Sequence, residues 1–171
     1  MMVRLLGAVL IIAGSGGFGF MLSAEERKLI RYLDQMERLL YEIEWELQYR
    51  LTPLPQLCIH ASRAVRGELK AIFSDLGERL KLQTEPDVES CMNGVLQFYD
   101  KRLPRQVRQI LCEMGYTLGR FGFEEQLEGL RLLRNNCREI SKSRKNNLSE
   151  RMRGARTLIL CTAAALIIVL V

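Results

Sequence analysis

The sequence predicts an all-α protein, an antiparallel helical bundle flanked by an N-terminal and a C-terminal transmembrane helix. No charged residue lies within residues 5–24 or 157–171, whereas nearly every charge of the 171-residue chain lies between these two segments. Between them, apolar residues recur at helical spacing, and no alternating pattern typical of strands occurs. We therefore expect a membrane helix at 1–24, a helical domain at 25–153 and a second membrane helix at 154–171.

The two apolar ends differ in how easily they can cross a bilayer. A helix over residues 5–24 rises about 30 Å, the thickness of a hydrocarbon core. Residues 157–171 rise only about 22 Å, so they span it only if Gly154, Ala155 and the stems of Arg153 and Arg156 extend the apolar length. The alternative interpretation of the first segment is a cleaved signal peptide, because small residues at 13–15 follow a short apolar run.

Basic residues lie on the inner side of both membrane segments. Arg27, Lys28 and Arg31 follow the first segment, and a longer basic stretch precedes the second. The positive-inside rule then predicts a two-pass protein of the cell membrane whose central domain is cytoplasmic. Basic side chains beside a bilayer are attracted to anionic lipid. We expect contacts with membrane lipid from Arg144, Lys145, Arg151, Arg153 and Arg156.

Small residues in the first membrane segment are spaced for contact with another membrane helix. Ala13 and Gly17 are four residues apart, as are Ser15 and Gly19. This spacing places small side chains on one face, where a second helix can approach closely. The second membrane segment or a helix of another protein is the expected neighbour.

Residues 24–50 have the spacing of a helix that packs along another helix. Ser23 and Glu26 match a capping box that would begin this helix. Trp45 and Tyr49 are expected to widen its apolar face. The apolar seam itself consists of Leu29, Leu33, Met36, Leu40, Ile43 and Leu47.

Prolines and glycines divide the rest of the domain into further helices. The corner Leu51-Thr52-Pro53-Leu54-Pro55 breaks the first helix, because two prolines remove backbone donors. The second helix is expected to end at Gly67 and the third before Gly77, with a surface connection at 81–86. The remaining helices are expected at 87–102, from Pro104 to a turn formed by Gly115, Gly119 and Gly122, and at 123–156, which becomes a solvated basic stalk beyond Ile140.

The chain offers no residue pattern that points to catalysis, to a cofactor or to a metal. His60 is its only histidine, and its five cysteines are widely spaced without a C-x-x-C pair, so free thiols in a reducing cytosol are expected. Glu42, Glu44 and Glu46 are expected to be solvated. The net charge is +5, but no aromatic residue within 131–156 is available to stack on bases, so no nucleic-acid partner is expected.

Several motifs in this order resemble those of the stage III sporulation protein AB family, and the resemblance extends over essentially the whole chain. They are an N-terminal membrane segment with Leu-Leu-Gly-Ala at 5–8, the corner at 51–55, Gly115-Tyr116-Thr117-Leu118-Gly119 with Gln126 beyond it, a long basic helix and a final membrane segment. One departure is the stretch 120–123, where the family tends to have a small polar and an acidic residue.

The resemblance implies a helical domain similar to the cytoplasmic domains of the type II secretion system platform protein F, here in an endospore-forming bacterium. It implies a place in the mother-cell membrane, in the channel complex that links the mother cell to the forespore. By analogy with secretion systems, the cytoplasmic domain would contact a secretion-type ATPase and the membrane helices would contact other subunits.

Two turns are the expected sites of protein contact, because function tends to concentrate on loops of a rigid scaffold. They are the corner Thr52, Pro53, Leu54 and Pro55, and the turn with Gly115, Leu118 and Gly119. A purely structural role is the alternative for both. The leading hypothesis is a non-enzymatic scaffold or platform subunit, and the alternative is a membrane-tethered module that binds anionic lipid or an acidic protein through its basic stalk.

Overall fold

A computed structural model describes the backbone of residues 2–99, 102–120 and 122–170, and the side chains of residues 24–99, 102–119, 122–150 and 152–154. We call the latter the described side chains. The described backbone is helical and contains no strand, so the all-α class is confirmed. Its elements are α1 (Met2–Trp45), a π-helical segment (Glu46–Arg50), α2 (Leu54–Ser62), α3 (Glu68–Leu82), α4 (Val88–Tyr99), α5 (Arg105–Arg120) and α6 (Phe123–Leu170).

The chain divides into two compact units, one formed by residues 1–30 and 142–171 and the other by residues 31–141. In the first unit Arg144 Nη1 donates to both carboxylate oxygens of Glu26, at 2.7 and 2.9 Å. Helices α1 and α6 run without a break through residues 24 and 153. Because α1 begins at Met2, the prediction that Ser23 caps a helix start is wrong.

No stretch of the described side chains is both long and apolar enough for a helix that crosses a membrane. The two spans that the sequence predicts lie outside these residues, except for Ala24 and Gly154. The membrane helices and the three-part domain division therefore remain predictions.

The second unit contains a continuous apolar core to which every helix contributes. The predicted seam of α1 is buried from Leu33 to Leu47, and Leu39 is buried beside it. The later helices and their connections contribute the buried residues Leu57, Ala61, Val65, Leu69, Ile72, Phe73, Leu76, Met92, Val95, Val107, Leu111, Met114, Leu118, Leu127, Leu130, Leu133 and Cys137.

The predicted helix ends at Gly67 and Gly77 are both wrong. Helix α2 ends at Ser62, and Gly67 directly precedes α3 with a φ of +65°, a conformation that a residue without Cβ adopts readily. Helix α3 continues past Gly77 to Leu82, where Gln83 takes the left-handed conformation. A Cβ at Gly77 would lie 2.6 Å from Ile59 Cγ1 and 2.9 Å from the Pro55 carbonyl oxygen. Gly77 therefore allows α2 to pack closely on α3.

We expect Gly77→Ala to destabilise the protein by about 1–3 kcal/mol, because the added methyl group forces α2 away from α3. The matched control is Gly154→Ala, since a Cβ at Gly154 meets no atom within 4 Å and alanine is the better helix former. Thermal unfolding followed by circular dichroism measures both variants. Equal melting temperatures for Gly77→Ala and the wild type would contradict the close packing.

The predicted turn at Gly115 and Gly119 is also wrong, because both residues lie within α5. A Cβ at Gly115 would be 2.9 Å from Met92 Cβ, so this glycine lets α4 and α5 approach. At Gly129 in α6 a Cβ would lie 2.5 Å from Thr117 Cγ2, which indicates equally close packing of α6 on α5. Leu118, the third residue of this predicted turn, is buried.

Candidate protein-binding surface

An aromatic stripe lies on the surface where α1 ends and the π-helical segment begins. Tyr41, Trp45 and Tyr49 are 53%, 38% and 67% exposed. The rings of Trp45 and Tyr49 are 5.9 Å apart between centroids and inclined by 41°. The expectation that Trp45 and Tyr49 widen the apolar face is therefore wrong. Trp45 lies two residues, or about 200° of α-helical rotation, beyond the buried Ile43, so its ring is turned away from the part of the core that Ile43 contacts.

Arginines cover this stripe from two directions. The guanidinium carbon of Arg50 lies 5.0 Å from the centroid of the Trp45 ring, and that of Arg134, from α6, lies 5.7 Å from Tyr41. Both distances are within the range of a cation–π interaction. Arg131 Nη2 is 3.5 Å from Gln48 Oε1. We call Tyr41, Trp45, Tyr49, Arg50, Arg131 and Arg134 the aromatic–arginine surface.

Two buried carboxylates hold these arginines in place. Glu44 Oε1 accepts a hydrogen bond from Arg131 Nε at 2.8 Å, and this bond raises the pKa of the Arg131 guanidinium. Glu44 Oε2 lies 3.3 Å from Arg134 Nη1, an ion pair without hydrogen-bond geometry. Glu44 is buried, so the prediction that it is solvated is wrong. A buried carboxylate needs such partners, because removing it from water without them is strongly unfavourable.

The second buried carboxylate belongs to the π-helical segment. Glu46 is buried, also contrary to prediction, and its two oxygens lie 3.0 and 3.1 Å from His60 Nδ1 in α2. Arg50 Nη1 approaches the same carboxylate at 3.9 Å. The chain's single histidine is therefore half-buried and joins α2 to the end of the aromatic stripe. Among the described side chains, no group of three possible metal ligands comes together around it.

The proline corner follows the aromatic–arginine surface directly. Leu51 takes a left-handed conformation at φ 50° and is largely exposed, which ends the π-helical segment. Thr52 and Pro53 form the connection, whereas Leu54 and Pro55 are the first two residues of α2. The corner therefore has a geometric role at the start of α2, and its expected role in protein contact remains a prediction.

The other predicted contact residues lie elsewhere. Gly115 and Leu118 are buried within α5 and Gly119 is exposed, so they form no loop. Of the basic residues, Lys145 and Arg153 are exposed, while Arg144 is half-buried against Glu26. The side chains of Arg151 and Arg156 lie outside the described residues, as do those of the small residues Ala13, Ser15, Gly17 and Gly19.

The chemistry of the aromatic–arginine surface is that of a protein-binding site. Tyrosine, tryptophan and arginine are the side chains that most often dominate the binding energy of protein interfaces. Aromatic rings supply large contact area with little loss of conformational entropy on binding, and guanidinium groups supply directed hydrogen bonds. The combination of exposed aromatic rings and guanidinium groups is therefore typical of a surface that binds another protein.

One feature of the sequence indicates this surface. Tyr41, Trp45 and Tyr49 recur every four residues, the spacing of one helix face, and they are out of phase with the seam. Their partners Arg131 and Arg134 are more than 80 residues away along the chain. The pairing of the arginines with the stripe depends on the packing of α6 against α1, which no local pattern reveals.

Comparisons with known proteins point to one family. The sequence model described as stage III sporulation protein AB matches residues 4–171. A solved structure of a stage III sporulation protein AB superposes with a TM-score of 0.61 at 18% identity, covering 69% of this chain and 94% of that chain. The structural likeness shows a shared fold. A search of curated proteins gave no match.

Proposed function

The chain belongs to the stage III sporulation protein AB family, and on that premise we propose that it is a non-enzymatic scaffold subunit of a sporulation channel complex. Membership of the family implies a role in sporulation. The finer proposal is that the helical domain binds another subunit of the complex between mother cell and forespore.

The observation that carries this proposal is the aromatic–arginine surface. Three aromatic side chains remain exposed although the seam is buried from Leu33 to Leu47, and salt bridges to the buried Glu44 fix Arg131 and Arg134. Exposed aromatic side chains grouped in this way are typical of interaction sites. A rigid helical bundle that presents such a surface suits a subunit that joins other proteins.

The proposal includes the arrangement that the sequence favours. The protein would cross the mother-cell membrane twice, hold its helical domain in the cytoplasm and dock a secretion-type ATPase there. The apolar segments at 5–24 and 157–171 and the basic residues beside them support this topology. The small residues from Ala13 to Gly19 would then face helices of other channel subunits.

The alternative, recognition of anionic lipid by the basic stalk, has less support. Arg144 is one of the residues expected to contact lipid, but its Nη1 donates hydrogen bonds to both carboxylate oxygens of Glu26. That interaction reduces the charge that the stalk can offer to a headgroup. Lys145 and Arg153 are exposed, so charge reversal at these two positions tests this alternative.

The proposal is tested with the full-length chain in sporulating cells of an endospore-forming bacterium. We expect the double variant Trp45→Ala, Tyr49→Ala to lower the recovery of membrane partners with the tagged protein by about tenfold or more, because truncation of an aromatic hot spot typically weakens binding by 2 kcal/mol or more. The yield of heat-resistant spores should fall with it.

The matched control is Phe98→Ala. Phe98 is also a largely exposed aromatic residue covered by an arginine, Arg79, but it lies on α4. It should leave partner recovery and spore yield within about twofold, since most exposed residues outside a hot spot contribute little. Wild-type partner recovery with the double variant would contradict the proposal. Loss of recovery only on charge reversal at Lys145 and Arg153 would favour lipid recognition.

A further inference from the structure

We infer that the aromatic–arginine surface binds an acidic segment of a partner protein, one that places carboxylates beside an apolar side chain. This inference rests on the proposed scaffold function and specifies the chemistry of the partner. It follows from the way in which charge is distributed between the buried and exposed sides of the surface.

The acidic groups of the surface lie beneath it and the cationic groups lie on top. The side chains of Glu44 and Glu46 are only 11% and 10% exposed, whereas those of Arg131 and Arg50 are 50% and 58% exposed. A partner that approaches from solvent therefore meets the guanidinium groups of Arg50 and Arg131 and the aromatic rings. The exposed carboxylate of Glu124 on α6 also acts on Arg131, whereas Glu44 and Glu46 lie beneath the surface. Charge complementarity favours an acidic partner at such a surface.

The guanidinium groups keep donors that a partner carboxylate can use. A guanidinium carries five N–H donors, and the hydrogen bond from Arg131 Nε to Glu44 uses one of them at short distance. The contact between Arg131 and Gln48 is long, at 3.5 Å, and the Arg50–Glu46 distance of 3.9 Å is beyond hydrogen-bond range. Paired donors of this kind match a carboxylate in bidentate geometry.

The aromatic stripe gives the partner an apolar contact between the cations. Trp45 and Tyr49 form adjoining rings, and the largely exposed side chain of Leu51 lies two residues further along the chain. An acidic segment with one apolar side chain would satisfy both parts of the surface. A purely acidic chain would leave the rings without a contact.

The arginines over Trp45 and Tyr41 favour a carboxylate over a stacked base on the covered faces of these rings. A base would stack on an aromatic face, as in single-strand binding sites. One face of Trp45 is covered by Arg50 and one face of Tyr41 by Arg134. A base that stacked on either of these two faces would have to displace a guanidinium group, whereas a carboxylate can bind to the outer edges of the guanidinium groups and leave these faces covered.

The test is photo-crosslinking in sporulating cells with the full-length chain. Tyr49 is replaced by p-benzoylphenylalanine, which keeps an aromatic ring at this exposed position, and the crosslinked peptide is identified by mass spectrometry. We expect a protein segment of net negative charge that contains an apolar residue. Introduction of Arg131→Gln or Arg50→Gln should lower the crosslinking yield about fivefold or more, because each removes a charge-assisted contact.

Two controls separate charge from fold. Arg79→Gln removes an arginine that covers Phe98 in another part of the bundle and should leave the yield within about twofold. Arg131→Lys should restore part of the yield, because it keeps the charge without the guanidinium fork. Circular dichroism of each purified variant confirms that the helices are retained.

The remaining outcomes overturn the inference in distinguishable ways. A crosslink to a neutral or basic protein segment excludes an acidic partner but leaves the scaffold function intact. A crosslink to nucleic acid, or yields unaffected by both arginine substitutions, also overturns the inference. Absence of any crosslink together with normal partner recovery by the Trp45→Ala, Tyr49→Ala variant would contradict the scaffold proposal at this surface as well.

Discussion

Replacement of Phe73 with alanine is expected to lower the free energy of unfolding by about 3–5 kcal/mol, because deletion of a buried aromatic ring leaves a cavity that the surrounding helices fill only in part. Phe73 lies in α3 and is fully buried in the core of the second unit. Phe98→Ala is the matched control. The Phe98 ring is 73% exposed and contacts Arg79, so its loss should change the free energy of unfolding by less than about 1 kcal/mol.

Urea unfolding of the full-length chain in neutral detergent measures both variants. Trp45 is the only tryptophan, so its fluorescence reports on the end of α1, and circular dichroism reports on all helices. In Phe73→Ala, the unfolding midpoints measured by fluorescence and by circular dichroism should shift to the same lower urea concentration, as expected for a cooperative core. Equal destabilisation by Phe73→Ala and Phe98→Ala would contradict the assignment of α3 to this core.

Periodicity was sufficient to predict the helical class and the buried seam from Leu33 to Leu47. Leu33, Leu40 and Leu47 recur every seven residues, and only a helix that packs along another helix requires this spacing. Two later helix starts were also predictable from local chemistry. Asp87 Oδ1 accepts a hydrogen bond from the Ser90 amide at 2.7 Å, and Pro104 directly precedes α5. Both signals depend on residues within one helical turn, so the sequence alone is sufficient to predict these helix starts.

Glycine was the residue that the sequence predicted least well. Gly77 and Gly115 were expected to end helices, because a glycine often does so. Both lie within helices and allow a neighbouring helix to approach. The difference depends on the atoms that a Cβ would meet, here Ile59 and Met92, and those atoms come from other helices.

The charged part of the candidate site was hidden from the sequence for a similar reason. Glu44 and Glu46 lie in a polar stretch that is typical of a solvated face. Their burial depends on Arg131 and His60, which only the folded chain brings within 3.0 Å. A carboxylate is buried where a partner compensates its lost hydration, and the partner's position is a property of the tertiary structure.

Two buried thiols are expected to make the protein lose stability steeply in alkali. Burial raises the pKa of Cys58 from 9.0 to about 12, and the neighbouring Cys91 adds to the rise. Burial likewise raises the pKa of Cys137 to about 12, with Glu37 adding to it. In the unfolded chain both thiols ionise near their ordinary pKa. Alkaline pH therefore favours the unfolded state, and the contribution of these thiols to stability is complete below pH 9 and is lost as the pH rises towards 12.

The slope of stability against pH isolates this effect from any loss of packing. Between about pH 9.5 and 11.5 each thiol should contribute on the order of 1 kcal/mol per pH unit, the value for release of one proton on unfolding. In the double variant Cys58→Ala, Cys137→Ala, the slope of stability against pH should be shallower by the sum of the two thiol contributions. This holds even if the stability of the variant at pH 7 is lower. Cys112→Ala is the control, because Cys112 is only partly buried and Arg108 opposes the rise of its pKa. Urea unfolding at several pH values measures the slopes, and parallel lines for the wild type and the double variant would show that neither thiol stays neutral in the folded protein.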